Sequence, residues 1–296
     1  MIVILCLTSC KKESIPVVEE DPTSSLFLPD PAVTDQESTI RRAFFKEEKS
    51  YLLFNDTLRN EFLGVDYNGD RQYRTELLNM GYILAGTVEG SYTYTHELLQ
   101  SIAEKQSAVD FMKTYVLPRL PEVLRPYSWF LTLSTEVIDP FGVPSYPVAI
   151  AGQRSVAVAL GDLSLLSLDE KTELSTAILA TTISYKSALL NTITDPFYAI
   201  SETLYDTQFP LDNFTEEDNL EALQVRGFII HNWLIEGFLL SYGAIPNRTK
   251  DFESYVKLIF NSTEAEVTAK YKNYPIVLQK YRLLKTIFVK QGYINQ

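Results

Sequence analysis

The sequence predicts an α+β fold in a single domain that is mainly helical and has a small sheet near its start. Two patterns carry this prediction. Short runs rich in β-branched and aromatic residues are concentrated before residue 161, and longer stretches with helical spacing of apolar residues follow them. A chain of 296 residues can bury a substantial core, and neither an internal repeat nor a linker marks a second domain.

The composition and charge exclude several classes of protein. Hydrophobic residues make up 46% of the chain, so the chain cannot be disordered throughout. The formal net charge of -12 repels phosphate backbones, and no nucleic-acid partner is expected. After residue 10, no segment has the roughly 20 consecutive apolar residues that a membrane-spanning helix needs.

The N-terminus looks like a lipoprotein signal. Residues 1–10 (MIVILCLTSC) form an apolar run that ends in a small residue and Cys10, as in a bacterial lipobox. Cys10 is therefore the predicted lipidation site and residues 1–10 the predicted signal peptide, which implies a lipid-anchored extracytoplasmic protein. The alternative is a short buried strand that starts at Met1. One feature departs from the signal pattern, since no Lys or Arg precedes the apolar run. With Cys6 removed and Cys10 lipidated, the mature domain would have no thiol for a disulfide, a metal site or catalysis.

A flexible tether is predicted for residues 11–36, which are rich in proline, serine and acidic residues. The folded domain is predicted to span residues 37–296 and to begin with a helix and then a strand over residues 51–54. Residues 66–70 lack the spacing of a calcium loop, so a solvated turn is predicted there. Residues 96–120 have apolar positions at helical spacing, which predicts an amphipathic helix.

Further strands are predicted over residues 127–138 and in a hairpin formed by residues 148–160. Small residues on this hairpin indicate that a helix packs closely against it. Ser167 and Glu170 have the spacing of a capping box, which predicts the start of that helix. The helical pattern continues through residues 174–201 and ends in a turn. Its apolar face includes the positions of Leu174, Ile178, Thr181, Tyr185 and Leu189, and a last helix is predicted near residues 276–290.

The two histidines offer little for metal chemistry. His96 and Glu97 begin H-E-L-L-Q, which lacks the second histidine of the zinc motif H-E-x-x-H because Gln100 stands there. His231 lies among apolar residues and is interpreted as a hydrogen-bonded core or rim residue. The alternative is that His96 and His231 converge in space with nearby carboxylates and form an active metal-dependent hydrolase.

Four segments occur in an order that matches one known family. They are the small-residue hairpin at 148–160, D-P-F-Y-A-I-S at 195–201, G-F-L-L-S-Y at 237–242 and K-D-F-E-S at 250–254. Together they resemble the substrate-import-associated zinc metallohydrolases of Bacteroidota, which are metallopeptidase-like lipoproteins found beside outer-membrane nutrient transporters. The resemblance implies a zincin-like α+β domain and an outer-membrane location that faces the periplasm or the cell surface.

The resemblance also implies that the zinc site has been lost. The family's helix carries H-E-F-A-H, and its E-D-F-A-E segment is expected to supply a glutamate ligand. In this sequence the two histidine positions fall on Thr181 and Tyr185, the catalytic glutamate position falls on Thr182, and the third ligand falls on Ser254. Glu253 is one residue away, a rotation of about 100° around a helix, and is expected to point away from the site.

The sequence and the resemblance together predict a catalytically inactive domain without a metal or other cofactor, which acts in binding or as an accessory of nutrient uptake. The candidate binding residues line the degenerate cleft: Thr181, Thr182, Tyr185, Tyr242 and Ser254. The expected partners are the membrane through the lipid anchor, components of an outer-membrane transporter, and a glycan or peptide ligand. Two alternatives stay open: the hydrolase with a non-family site, and a pure scaffold lipoprotein whose cleft is plugged by Tyr185 and its neighbours.

Overall fold

A computed structural model describes most of the predicted domain. The described residues are 27–78, 80, 92–152, 154–188, 191–205, 207–210, 216–230, 233–235 and 241–294. The predicted signal peptide with Cys10, the first part of the predicted tether, and His231 lie outside these residues. The predictions made for them therefore stay predictions.

The described chain contains both α-helices and β-strands, as predicted. The α-helices are α1 (Gln36–Glu48), α2 (Ile102–Phe111), α3 (Leu168–Ala188), α4 (Asn191–Ala199), α5 (Glu216–Val225), α6 (Arg248–Asn261), α7 (Glu264–Lys270) and α8 (Pro275–Lys290). The strands are β1 (Tyr51–Leu53), β2 (Thr57–Val65), β3 (Arg71–Leu77), β4 (Thr93–Leu98), β5 (Ser128–Ile138), β6 (Pro144–Ser145), β7 (Ala149–Ala151), β8 (Ser155–Ala159), β9 (Gln208–Pro210), β10 (Trp233–Ile235) and β11 (Ser241–Ala244). Among the described helices, none is both long and apolar enough to cross a membrane.

The largest sheet has six strands and is built around β5. This strand pairs in parallel with β1 and β8, and its C-terminal part pairs antiparallel with β4 and β6. Trp129, Phe130 and Leu131 of β5 are fully buried, so the centre of the sheet lies in the interior. The predicted hairpin is present as β7 and β8. Within the described residues β7 pairs only with β8, so it forms an edge of the sheet.

Helix α3 packs against both β7 and α6. Its start is fixed by the predicted capping box, because the Ser167 N–H donates to Glu170 Oε2 at 2.8 Å and the Glu170 N–H donates to Ser167 Oγ at 3.3 Å. On the buried side of the helix, Ile178, Leu179 and Ile183 are fully covered. They belong to a hydrophobic core that also includes side chains of α1, α2, β5, β8, α6 and α8.

A buried ion pair joins α6 to α8. Lys280 Nζ lies 2.6 Å from Asp251 Oδ2, and both side chains are 0% exposed. The Tyr205 hydroxyl donates to the same carboxylate oxygen at 2.5 Å, and the rings of Phe197 and Phe228 surround the ammonium group. Burial raises the pKa of Asp251 and lowers the pKa of Lys280, and the attraction between the two charges offsets part of each shift. Asp251 thus lies on the side of α6 that faces the core, together with Phe252, Tyr255 and Val256.

Two parts of the sequence prediction need correction. Residues 96–120 do not form one helix, because His96 lies on β4 in the large sheet and α2 begins only at Ile102. Ser101 and Glu104 form a capping box that ends the strand region and starts the helix. The β structure is also more extensive than the small early sheet predicted, because β9, β10 and β11 form a second sheet in the C-terminal half.

Candidate functional site

A long groove lies between the edge strand β7 and the helices α3 and α6. It consists of two adjoining cavities with volumes of ≈ 560 Å³ and ≈ 600 Å³. Both cavities are lined by Val148, Ala177 and Lys257, so they adjoin at these residues. We call the whole depression the α3–β7 groove. The cavity lined by Tyr185 and Glu253 is its first half, and the other cavity is its second half.

The floor of the groove is one face of α3. In the first half this face presents Ala177, Thr181, Ser184 and Tyr185, which are three or four residues apart along the helix. In the second half it continues towards the N-terminus of α3. The small side chain of Ala177 leaves space at the junction of the two halves.

One wall of the groove is a polar row on α6. Thr249, Glu253, Lys257 and Asn261 are each four residues apart and therefore share one side of the helix. The neighbouring side of α6 is buried, with Phe252, Tyr255 and Val256 in the core. The polar row therefore faces α3, because the neighbouring apolar side of α6 is buried in the core.

The other wall is the edge of β7 that no described strand covers. Val148 C=O accepts from the Ala159 N–H at 2.8 Å, and the Gly152 N–H donates to Ser155 C=O at 2.8 Å. Hydrogen-bonded pairs alternate along an antiparallel ladder, so the N–H and C=O groups of Ala149 and Ala151 point away from β8. Because both residues line the first half of the groove, these backbone groups are available to a ligand there.

Ionisable side chains give the first half of the groove its electrostatic character. Burial raises the pKa of the Glu253 carboxyl group, while Lys257 and Lys250 lower it. Burial also raises the pKa of Tyr185, and burial together with the charge of Asp251 raises the pKa of Tyr198 to about 12. Both phenols are therefore protonated at neutral pH and can donate or accept hydrogen bonds.

The structure brings together only part of the predicted cleft. Thr181 and Tyr185 lie in the groove. Thr182 instead faces the core, where its hydroxyl donates to Ile178 C=O at 2.8 Å. Ser254 is also buried, and its hydroxyl donates to Asp251 C=O at 2.7 Å. Tyr242 contributes backbone to β11, and its side chain lies outside the described part of the chain.

Glu253 lies in the groove, although the sequence comparison with the metallohydrolase family placed it away from the site. The reason is the rotation of α6, which turns the row of Thr249 and Glu253 towards α3 and turns Ser254 inward. The sequence analysis also missed Ser184 and Lys257. For Lys257 the sequence contained a signal, because polar residues recur at every fourth position of α6 beside its apolar positions.

His96 has the environment of a structural histidine. Its Nδ1 lies 2.9 Å from Thr135 Oγ1, and its ring packs edge-on against Phe130 with the centroids 5.0 Å apart. Burial lowers its pKa, which favours the neutral imidazole, and the nearby charge of Asp56 offsets part of that shift. His231, the second histidine of the alternative metal site, lies outside the described residues.

The residues of the groove do not fit a zinc site. Thr181 and Tyr185 offer a hydroxyl and a protonated phenol at the positions where the family has imidazoles, and among the described residues Glu253 is the one carboxylate that lines the first half of the groove with them. Among the residues that the structure describes, no group of three or more His, Cys, Asp or Glu side chains could hold a metal ion. The polar side chains of the groove are suited instead to hydrogen bonding with an organic ligand.

No protein-family model matches the chain, and neither a curated protein nor a solved structure matches it significantly. The interpretation of the groove therefore depends on its geometry and chemistry.

Proposed function

We propose that this chain binds extended peptide segments in the α3–β7 groove and does not hydrolyse them. The observation that carries the proposal is the edge of β7 that is left unpaired by the described strands, where Ala149 and Ala151 point their backbone N–H and C=O groups away from the sheet. An extended peptide can add to such an edge as a further strand, because main-chain hydrogen bonds supply affinity whatever the peptide sequence.

The geometry favours a peptide over a glycan as the ligand. Ala149 and Ala151 are two residues apart, and this matches the spacing at which an added strand presents its own backbone groups. Alternate side chains of the peptide would then point to α3, where Ala177 leaves room and Thr181 offers a hydroxyl. A sugar could stack on Tyr185, but it would leave the backbone groups of β7 without matching partners.

The absence of hydrolysis in this proposal follows from the residues present. A zinc peptidase needs metal ligands and a general base beside the bound water. Thr182, at the family position of the base, is turned into the core and bonds to its own helix. We therefore propose that the chain has the zincin-like fold, with this helix at the family's position, but lacks zinc-dependent hydrolysis.

The setting of this binding activity is also part of the proposal. We place the chain at the outer membrane, anchored by lipid on Cys10, where it would hold peptides or a protein segment for a nutrient transporter. Two alternatives compete with it. The scaffold alternative requires a cleft plugged by Tyr185, whereas Tyr185 lines an open cavity of ≈ 560 Å³. The hydrolase alternative requires His96, which lies on β4 and is not among the described residues that line the groove.

Zinc is not expected to bind in this groove. After incubation with zinc and desalting, the purified chain should contain no stoichiometric metal and should show no thermal stabilisation by zinc, because Thr181 and Tyr185 replace the imidazole ligands. Stoichiometric zinc that is lost on Glu253→Gln would place a metal in the groove and contradict this proposal. Zinc that is lost on His96→Ala or His231→Ala would favour the hydrolase alternative.

A selection experiment tests peptide binding itself. Random linear peptides displayed on phage are selected on the purified chain, and the enriched peptides are synthesised for affinity measurement by fluorescence anisotropy. We expect Ala177→Trp to weaken binding by at least about tenfold, since the indole would fill the junction of the two halves. The matched control is Ala265→Trp on the exposed surface of α7, which should bind normally. Failure to enrich any peptide, or equal binding by both variants, would sink the proposal.

A further inference from the structure

We infer that the first half of the groove holds a basic side chain of the bound peptide, at a subsite formed by Glu253, Ser184 and Tyr185. The inference rests on the proposed function, because it assumes that a peptide occupies the α3–β7 groove. All three side chains line the same cavity. Two of them are polar groups that lack a partner among the described residues.

Glu253 supplies a carboxylate without a partner in the described part of the chain. Lys250 and Lys257 act on it only through their charge, and no side-chain hydrogen bond contributes to its pKa shift. Burial makes its ionised form less favourable, and a cation that entered the groove would reverse that effect. Lys257 lines the same cavity but forms no ion pair with Glu253 among the described residues, so this carboxylate is left to pair with a positively charged ligand group.

Ser184 supplies an independent indication that a polar ligand group binds here. The residue is only 8% exposed, and its hydroxyl makes no hydrogen bond with any residue that the structure describes. Serine and threonine hydroxyls in helices often donate to the carbonyl one turn earlier, as Thr182 does to Ile178. Ser184 does not do so, and its buried hydroxyl is left with an unused acceptor and donor at a position that lines the groove.

Tyr185 completes the set. Burial raises its pKa, so the phenol stays neutral at physiological pH, and its oxygen can accept a hydrogen bond while its ring can face a cation. A lysine ammonium or an arginine guanidinium carries only donors. The carboxylate of Glu253, the hydroxyl of Ser184 and the phenol of Tyr185 all provide acceptor oxygens. The net charge of -12 also attracts cationic peptides to the surface.

The test compares peptide selections on the unaltered chain, on Glu253→Gln and on Glu173→Gln. Glu173 lines the second half of the groove, so its replacement removes the same charge outside the subsite. We expect lysine or arginine to be enriched at one peptide position with the unaltered chain and with Glu173→Gln, and this enrichment to disappear with Glu253→Gln. Circular dichroism and thermal unfolding of each variant confirm that the fold is retained.

A double-mutant cycle then measures the contact in one selected peptide. Replacement of its enriched basic residue by norleucine, or by citrulline for arginine, should weaken binding to the unaltered chain by about tenfold and leave binding to Glu253→Gln unchanged. Peptides that bind without basic enrichment, or that lose it equally with both glutamine variants, would overturn the subsite and leave the proposed function standing. A selection that enriches nothing on the unaltered chain would overturn both.

Discussion

Replacing Lys280 with methionine is expected to destabilise the folded chain by about 3–5 kcal/mol, because the change leaves the Asp251 carboxylate buried without its counter-charge. The two charged groups are 2.6 Å apart, and neither side chain is exposed to solvent. Methionine keeps the length and apolar stem of the side chain, so the loss reports the charge more than the packing. Unfolding in guanidinium chloride, followed by circular dichroism, gives the free-energy difference.

A control on the same helix compares the loss of this buried ion pair with the loss of a partly exposed one. Lys285 pairs with Glu264 at 2.8 Å, but both side chains are partly exposed, and Lys285→Met should have only a small effect. The double variant Asp251→Asn/Lys280→Met should recover part of the stability that Lys280→Met loses, because no uncompensated charge stays in the core. Equal effects of Lys280→Met and Lys285→Met would show that the buried pair does not hold α6 in place.

Replacing Ala151 with proline is expected to weaken peptide binding by at least about tenfold while the fold is largely retained. The Ala151 N–H points away from β8, so its loss removes a hydrogen bond to the ligand and none to the sheet. The proline ring would also occupy the space next to the strand edge. Binding is measured by anisotropy with a peptide from the selection.

Ile150→Pro provides the matched comparison one residue away. The Ile150 N–H faces β8 in the register that pairs Ile150 with Ala157, so proline there should disrupt the hairpin and lower the stability. Ile150→Pro thus removes an N–H donor that faces β8, whereas Ala151→Pro removes one that faces the groove. Unchanged affinity in Ala151→Pro would contradict the addition of the peptide to β7, whatever the stability of the variant.

The parts of the fold that were predictable from sequence have local signals. The capping box of Ser167 and Glu170 marks the start of α3, and alternation marks β5 and the hairpin of β7 and β8. The strand that holds His96 was missed because its pairing partner Thr135 lies 39 residues away and its own run is short. The helical spacing after Ser101 was extended backwards across the capping box that separates the two elements.

The candidate site was predictable only in part for a similar reason. Helical spacing places Thr181 and Tyr185 on one face of α3, and the structure has both in the groove. The rotation of α6, however, depends on long-range contacts of its buried side, among them that of Asp251 with Lys280, which is 29 residues away, and these contacts leave Glu253 facing α3. The position of Lys280 on the same face as the apolar residues Val277 and Leu284 was an available sign of a buried charge.

The central claim is that a peptide adds to β7 as a strand above α3. Residue-by-residue amide hydrogen exchange, measured by NMR with and without a selected peptide, tests it most directly. We expect the amides of Ala149 and Ala151 to exchange rapidly in the free chain, since they point away from β8, and to become strongly protected when the peptide binds. Continued rapid exchange at both residues in the peptide-saturated chain, with protection elsewhere, would contradict the claim.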